Sequence, residues 1–202
     1  MTRVGALIFP GFEMLDLYGP LQMFSLMPDD FQIELIAQTT GDVRANNGPG
    51  SVATSSFEDG FEHDILLVPG GRGTRAEVDN PVLIDWIAQV ATKADYTVSI
   101  CTGAILLAEA GVLDGKRATT NKLGFAALTP RWPNVDWQVQ ARWVEDGKVI
   151  TSSGVSAGMD MALGVIERLH GLDAAEQVAR YAEYRWHRDR SHDPFATEYG
   201  LV

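Results

Sequence analysis

The only cysteine of the chain, Cys101, lies in the run Tyr96-Thr-Val-Ser-Ile-Cys101-Thr-Gly-Ala-Ile-Leu-Leu-Ala-Glu-Ala-Gly111. β-Branched and aromatic residues open the run, and strong helix formers fill positions 104–110. A strand must therefore break into a helix within two or three residues around Cys101 and Thr102, and the side chain at such a break projects above the sheet. A thiol there faces the positive end of the helix dipole and nearby backbone N–H groups, which favour the nucleophilic thiolate. The competing reading is a small apolar filler, the usual role of an unpaired cysteine. A second reactive group is suggested by Asp16, set between Leu15 and Leu17, where a carboxylate loses its hydration unless it has a partner. An acid near a helix start can equally serve the helix dipole, and Glu13, closer to the exposed end, fits that role better. Pro69-Gly70-Gly71 ends an apolar run, and its glycines let the backbone approach a ligand and present N–H groups, as one half of an oxyanion hole would. Without such a ligand the same residues are a tight turn.

The elements that must position these groups follow from the pattern along the chain. Residues 3–9 form an apolar run stopped by Pro10-Gly11, a buried strand entering a helix from about Glu13 to Leu26. Residues 31–37 read as the second strand, and Asn46-Asn-Gly-Pro-Gly50 as a turn joining two short extended pieces. The run from His63 is a third buried strand, followed by a helix over 81–93 with Pro81 at its start. Beyond the Cys101 segment come a short strand at 117–120 and a short helix capped by Asn121. Residues 138–144 and 149–151 read as a strand pair around Glu145-Asp-Gly-Lys148. Ser152-Ser-Gly154-Val155-Ser-Ala-Gly158 brings small residues to a strand end, with room for a pocket, before a helix over 159–170. A last helix is expected from Ala174 to about Arg190, leaving residues 191–202 as a tail able to reach a partner subunit. Strands alternating with helices predict an α/β fold, and 202 residues that are 46% hydrophobic suit a single domain over 1–202.

Composition excludes several function classes. Sixteen basic residues against 27 acidic ones give a net charge of -11, a field that repels nucleic acid and anionic membranes. A single cysteine excludes an intrachain disulfide and a cysteine-cluster metal site, and fits a reducing cytoplasm. No apolar run approaches membrane-spanning length. His187 and His192 lie five apart, about 140° around a helix, so they do not share a face as metal ligands would. His63 and His170 have no acid at pairing distance in sequence. The G-x-G-x-x-G spacing of dinucleotide folds is absent after the first strand.

Taken in order, Asp16, Pro69-Gly-Gly71, Ile100-Cys-Thr-Gly103, Leu113-Asp-Gly-Lys-Arg-Ala-Thr-Thr120 and Gly154-Val-Ser-Ala-Gly158 resemble the ThiJ/PfpI superfamily, and within it the isocyanide hydratases. The resemblance spans roughly residues 3–170. It implies a flavodoxin-like three-layer sandwich with a mainly parallel sheet, a nucleophile-elbow cysteine, a homodimer, a small-molecule substrate and no cofactor. Carried over, it makes Cys101 the nucleophile, Asp16 the carboxyl group beside the sulfur and Thr102 a neighbouring polar group. Gly70 and Gly71 would line the anion-stabilising side, and Gly154 and Val155 would form the loop facing the cysteine. Many members carry a histidine where this chain has Asn121. Without a Cys-His dyad, a protease or amidase reading weakens, since those reactions need a base that passes a proton to a leaving amine. Two other readings compete with hydration of isocyanides to N-substituted formamides. One is glyoxalase or deglycase activity on 2-oxoaldehydes, and the other is a non-catalytic ligand or redox sensor.

Overall fold

Parallel strands buried on both faces carry near-continuous apolar runs, and Ile65–Val68 at the sheet centre is fully buried along its whole length. The computed structural model describes all 202 residues. Its main sheet has seven strands in the order Trp143–Asp146, Val149–Ser152, Tyr96–Ile100, Ile65–Val68, Thr2–Leu7, Phe31–Ala37 and Ser55–Ser56. All neighbours are parallel except the edge strand Trp143–Asp146, which pairs antiparallel with Val149–Ser152 around a tight turn. Helices cover both faces. Met14–Ser25, Ala157–His170 and Leu172–Tyr181 pack together, as do Pro81–Lys93 and Gly103–Glu109. The α/β architecture expected from the sequence is thus observed.

Register places the chemistry. Ser99 pairs with Val68 on one side and Thr151 on the other, and Ile100 pairs with Ser152. The residues that follow each strand, Pro69-Gly70, Cys101 and Ser153-Gly154, therefore emerge side by side at the carboxyl end of the sheet, where open α/β sheets bind ligands. The helix Met14–Ser25 enters the same end with Asp16 in its first turn. Pro20, inside that helix, has no N–H for the Asp16 carbonyl one turn earlier.

Three local expectations are corrected. Residues 138–142 are not strand, and the edge strand begins at Trp143. The last helix ends at Tyr181 instead of continuing to Arg190. Glu183 takes a left-handed φ of 49°, and the chain beyond is captured by the wholly buried Asp160. The Asp160 carboxylate accepts from the Tyr184 hydroxyl at 3.0 Å and the His187 N–H at 2.8 Å, while its carbonyl accepts from Trp186 Nε1 at 3.0 Å. The alternating charges of 183–190 thus belong to an irregular strap and not to the outer face of a helix. His63, finally, has an acid partner across the sheet: its Nε2 lies 2.8 Å from Glu34, which also accepts from Ser55.

The strap is held by a buried ion pair. Arg142 Nε donates to Asp160 Oδ2 at 2.7 Å, and Asp193 lies 3.7 Å from the same guanidinium. The Arg190 carbonyl accepts from the Arg142 N–H at 2.9 Å. Residues 194–198 form a short helix capped by the Asp193 carboxylate, so the tail folds back on its own chain. Removing Asp160 would strand a buried guanidinium. Asp160→Ala is expected to lower the free energy of unfolding by about 3–5 kcal/mol, read from urea denaturation, and an unchanged midpoint would contradict this role of the pair.

Candidate active site

Cys101 holds a left-handed backbone conformation, φ 55°, which costs a residue with a Cβ on the order of 1–2 kcal/mol. Neighbouring groups hold it there. Its N–H reaches the carbonyls of Ser152 at 3.2 Å and Ser153 at 3.0 Å, and its own carbonyl accepts from the Thr120 hydroxyl at 2.8 Å. The Ser153 N–H donates in turn to the Arg142 carbonyl at 2.8 Å, so the elbow is tied to the buried ion pair of the strap. Val155 is also left-handed, φ 40°. The backbone N–H groups of Thr102 and Val155 both hydrogen bond to the Cys101 sulfur.

Asp16 is wholly buried. One carboxyl oxygen, Oδ2, accepts from the Gly70 N–H at 3.0 Å. The other, Oδ1, is buried without a partner of normal hydrogen-bond geometry, and the Cys101 thiol is the side chain that interacts with this carboxyl. Burial raises the Asp16 pKa from the usual carboxylate range to about 7. The Gly70 N–H works against this shift, the Glu13 charge adds to it, and the bond to the thiol opposes it. Cys101 is also pushed up, first by burial and then by the Asp16 charge. The two N–H groups pull the thiol down but do not prevail, so the thiolate preference expected from the helix dipole alone is not realised. Between them, Cys101 and Asp16 hold one proton once the pH passes about 7.

The glycines serve a different purpose from the one expected of them. The Gly70 N–H is occupied by Asp16, and the Gly71 N–H by the Thr102 hydroxyl at 3.0 Å. Neither is free to donate to an anion. Instead they fix the side chains on either side of the sulfur. A Cβ at Gly70 would lie 2.6 Å from Thr102 N and 2.8 Å from Asp16 Oδ2, so the carboxyl can reach the elbow only past a residue with no side chain. The Thr102 hydroxyl, further held by Thr74 at 3.2 Å, locks the Pro-Gly-Gly turn, while its backbone N–H faces the sulfur. The holding roles of Thr74 and Thr120 were not legible in the sequence because a threonine's single hydroxyl carries no spacing signal.

Gly154 meets Asn121. A Cβ at Gly154 would lie 2.7 Å from Asn121 Nδ2, and Asn121 Oδ1 accepts from the Gly124 N–H at 3.0 Å. Asn121 and Thr102 both line a cleft of about 620 Å³ that also reaches Gly71. Cys101, only 7% exposed, does not itself line this cleft and adjoins it through its chain neighbour Thr102. Histidines take no part in these contacts: His63 bonds Glu34, His170 lies 3.8 Å from Asp30, and His187 faces the His192 carbonyl. No group of three or more His, Cys, Asp or Glu side chains is placed to hold a metal ion.

Comparison with known proteins places the chain in a family. The model of the DJ-1/PfpI family matches residues 2–168. An isonitrile hydratase from Pseudomonas putida is 36% identical over 182 residues, covering 90% of this chain and 78% of that protein. The HTH-type transcriptional regulator CdhR from Pseudomonas aeruginosa is 29% identical over 202 residues, and this chain spans 60% of the regulator's length. Among solved structures, a ThiJ/PfpI family protein from Pseudomonas syringae superimposes with a TM-score of 0.80 and 30% identity, over 91% of this chain and 75% of that one. With a family match over nearly the whole chain and a sheet that sets a strained cysteine at its carboxyl end, this protein belongs to the DJ-1/PfpI family.

Proposed function

We propose that the chain is an isocyanide hydratase, converting R–NC and water to the formamide R–NH–CHO with Cys101 as nucleophile and Asp16 as proton donor and acceptor. The observation that carries this reading is the buried Asp16 carboxyl with a free Oδ1, set against Cys101 in a site without histidine. The 36% identity to an isonitrile hydratase supports it. When the shared proton sits on Asp16, Cys101 is a thiolate steadied by the Thr102 and Val155 N–H groups. Its sulfur forms a bond to the terminal isocyanide carbon, and the Asp16 proton moves to that carbon, giving a thioimidate, S–CH=N–R. The Asp16 carboxylate then takes a proton from water as the water oxygen bonds to the same carbon, and passes it to nitrogen. Finally the C–S bond breaks, the carbonyl forms, and the hydroxyl proton returns to the pair. Only water is consumed besides the isocyanide.

The homodimer, the cytoplasmic location and the absence of a cofactor belong to the same proposal. Met14, Leu15 and Tyr18 are exposed on the helix that carries Asp16, an apolar strip suited to a second copy. A ligand-sensing role is the second reading, favoured by the likeness to CdhR, and formamide production separates the two.

Three outcomes follow for isocyanide turnover and stability. Cys101→Ala should abolish formamide formation and Asp16→Asn should lower kcat/KM by on the order of 10²–10⁴-fold; full turnover by Asp16→Asn would remove Asp16 from the chemistry. In the wild type, kcat/KM should rise with pH through about 7, as the doubly protonated pair gives way to the one-proton pair, and Asp16→Asn should lose that inflection. A raised carboxyl pKa also means that the folded state holds this proton more tightly than the unfolded state. The stability it confers is complete below the unfolded value of 3.8 and is lost as pH rises through about 7. Asp16→Asn should therefore raise the melting temperature above pH ~8 more than it does below pH ~5, and equal shifts at both would contradict the buried-carboxyl account.

A further inference from the structure

The cleft lined by Thr102, the residue after Cys101, has a charge pattern unlike that of the molecule around it. In a chain of net charge -11, its lining holds three arginines, Arg72, Arg75 and Arg131, against one carboxylate, Glu13. Arg131 is already committed: it lies 3.6 Å from Asp79 and 4.0 Å from Glu109, and its guanidinium stacks 5.1 Å from the Trp132 ring. Arg72 and Arg75 are exposed and have no carboxylate partner, whereas eight other arginines of the chain do. Both follow Gly71, the residue whose N–H holds Thr102, and both line the cleft that Thr102, the residue after Cys101, also lines. Ile105, Leu128 and Trp132 supply an apolar wall in the same cleft. A volume of about 620 Å³ accommodates a small aryl or alkyl body, within the range usual for small-molecule sites.

An apolar wall with two unpaired guanidinium groups beside the entrance suits an amphipathic molecule with an acidic end, because guanidinium binds carboxylate with paired, charge-assisted hydrogen bonds. The local positive rim would also draw an anion towards a site that the overall negative charge would otherwise keep away. Resting on the hydratase reading above, we propose that Arg72 and Arg75 form an anion subsite and that the substrate is an isocyanide whose apolar R group carries a carboxylate. The isocyanide carbon would enter first, towards Cys101, with the carboxylate held at the rim. The two arginines set specificity and take no part in proton transfer.

The test compares 4-isocyanobenzoate with phenyl isocyanide, and separately the binding of benzoate and benzamide to the wild-type protein by calorimetry. The ratio of kcat/KM for the acid to that for the neutral compound should be at least about fivefold higher in the wild type than in an Arg72→Gln, Arg75→Gln double variant, mainly through KM, since an exposed charge pair contributes modestly. Added salt should shrink the wild-type ratio, and an Arg72→Lys, Arg75→Lys variant should keep part of it. If both compounds turn over and the ratio is the same in wild type and double variant, the subsite is wrong and the hydratase reading stands. If neither isocyanide reacts but benzoate binds more tightly than benzamide in an arginine-dependent way, the anion subsite stands and the hydratase reading falls. Neither turnover nor a preference for benzoate would overturn both.

Discussion

The burial of the Asp16 carboxyl against the Cys101 thiol is the constraint around which this structure is arranged. Both groups are buried and both are raised by that burial, so neither ionises freely and each sets the state of the other. Placing a carboxyl against a thiol in a dry site is unfavourable for stability, and groups in such positions are characteristic of functional sites. Much of the surrounding geometry follows from holding them together. Gly70 has no side chain because the Asp16 oxygen and the Thr102 backbone occupy that space. Thr120, Ser152 and Ser153 grip the Cys101 backbone in a conformation it would not adopt alone.

The scaffold contributes at two ranges. At short range, the register of three parallel strands delivers Gly70, Cys101 and Gly154 to one end of the sheet. At longer range, the strap over residues 183–193 is drawn in by Asp160, whose partner Arg142 also accepts the Ser153 N–H through its carbonyl. A buried ion pair is weak evidence for stability but fixes relative placement once formed. The C-terminal strap is thereby connected, through three backbone hydrogen bonds by way of Arg142 and Ser153, to Cys101.

The alternation of strands and helices was legible because apolar runs and stop signals are local. The helix over Pro81–Lys93 is found at the bounds its pattern predicts, and the elbow lies where β-branched residues give way to helix formers. Asp16 stood out between two leucines, yet its pairing with Cys101 came only from the family resemblance, since no local pattern links residues so far apart. What misled was also physical. A helix dipole favours thiolate, but the elbow helix is short and burial outweighs it. Free N–H groups were expected at Gly70 and Gly71, yet both are used to anchor side chains. The last helix was extended too far because its charge pattern persists beyond Tyr181, whereas the buried Asp160 that redirects the chain is distant in sequence. The same limit hid Glu34 from His63.

If Asp16 and Cys101 share a proton as described, the protonation of Asp16 itself can be followed without any substrate. The direct measurement is an NMR titration of the Asp16 carboxyl carbon, assigned by its absence in Asp16→Asn. The account predicts a midpoint near about 7 that shifts when Cys101 is replaced by alanine. A midpoint in the ordinary carboxylate range near 3.8, unaffected by the loss of the thiol, would contradict it.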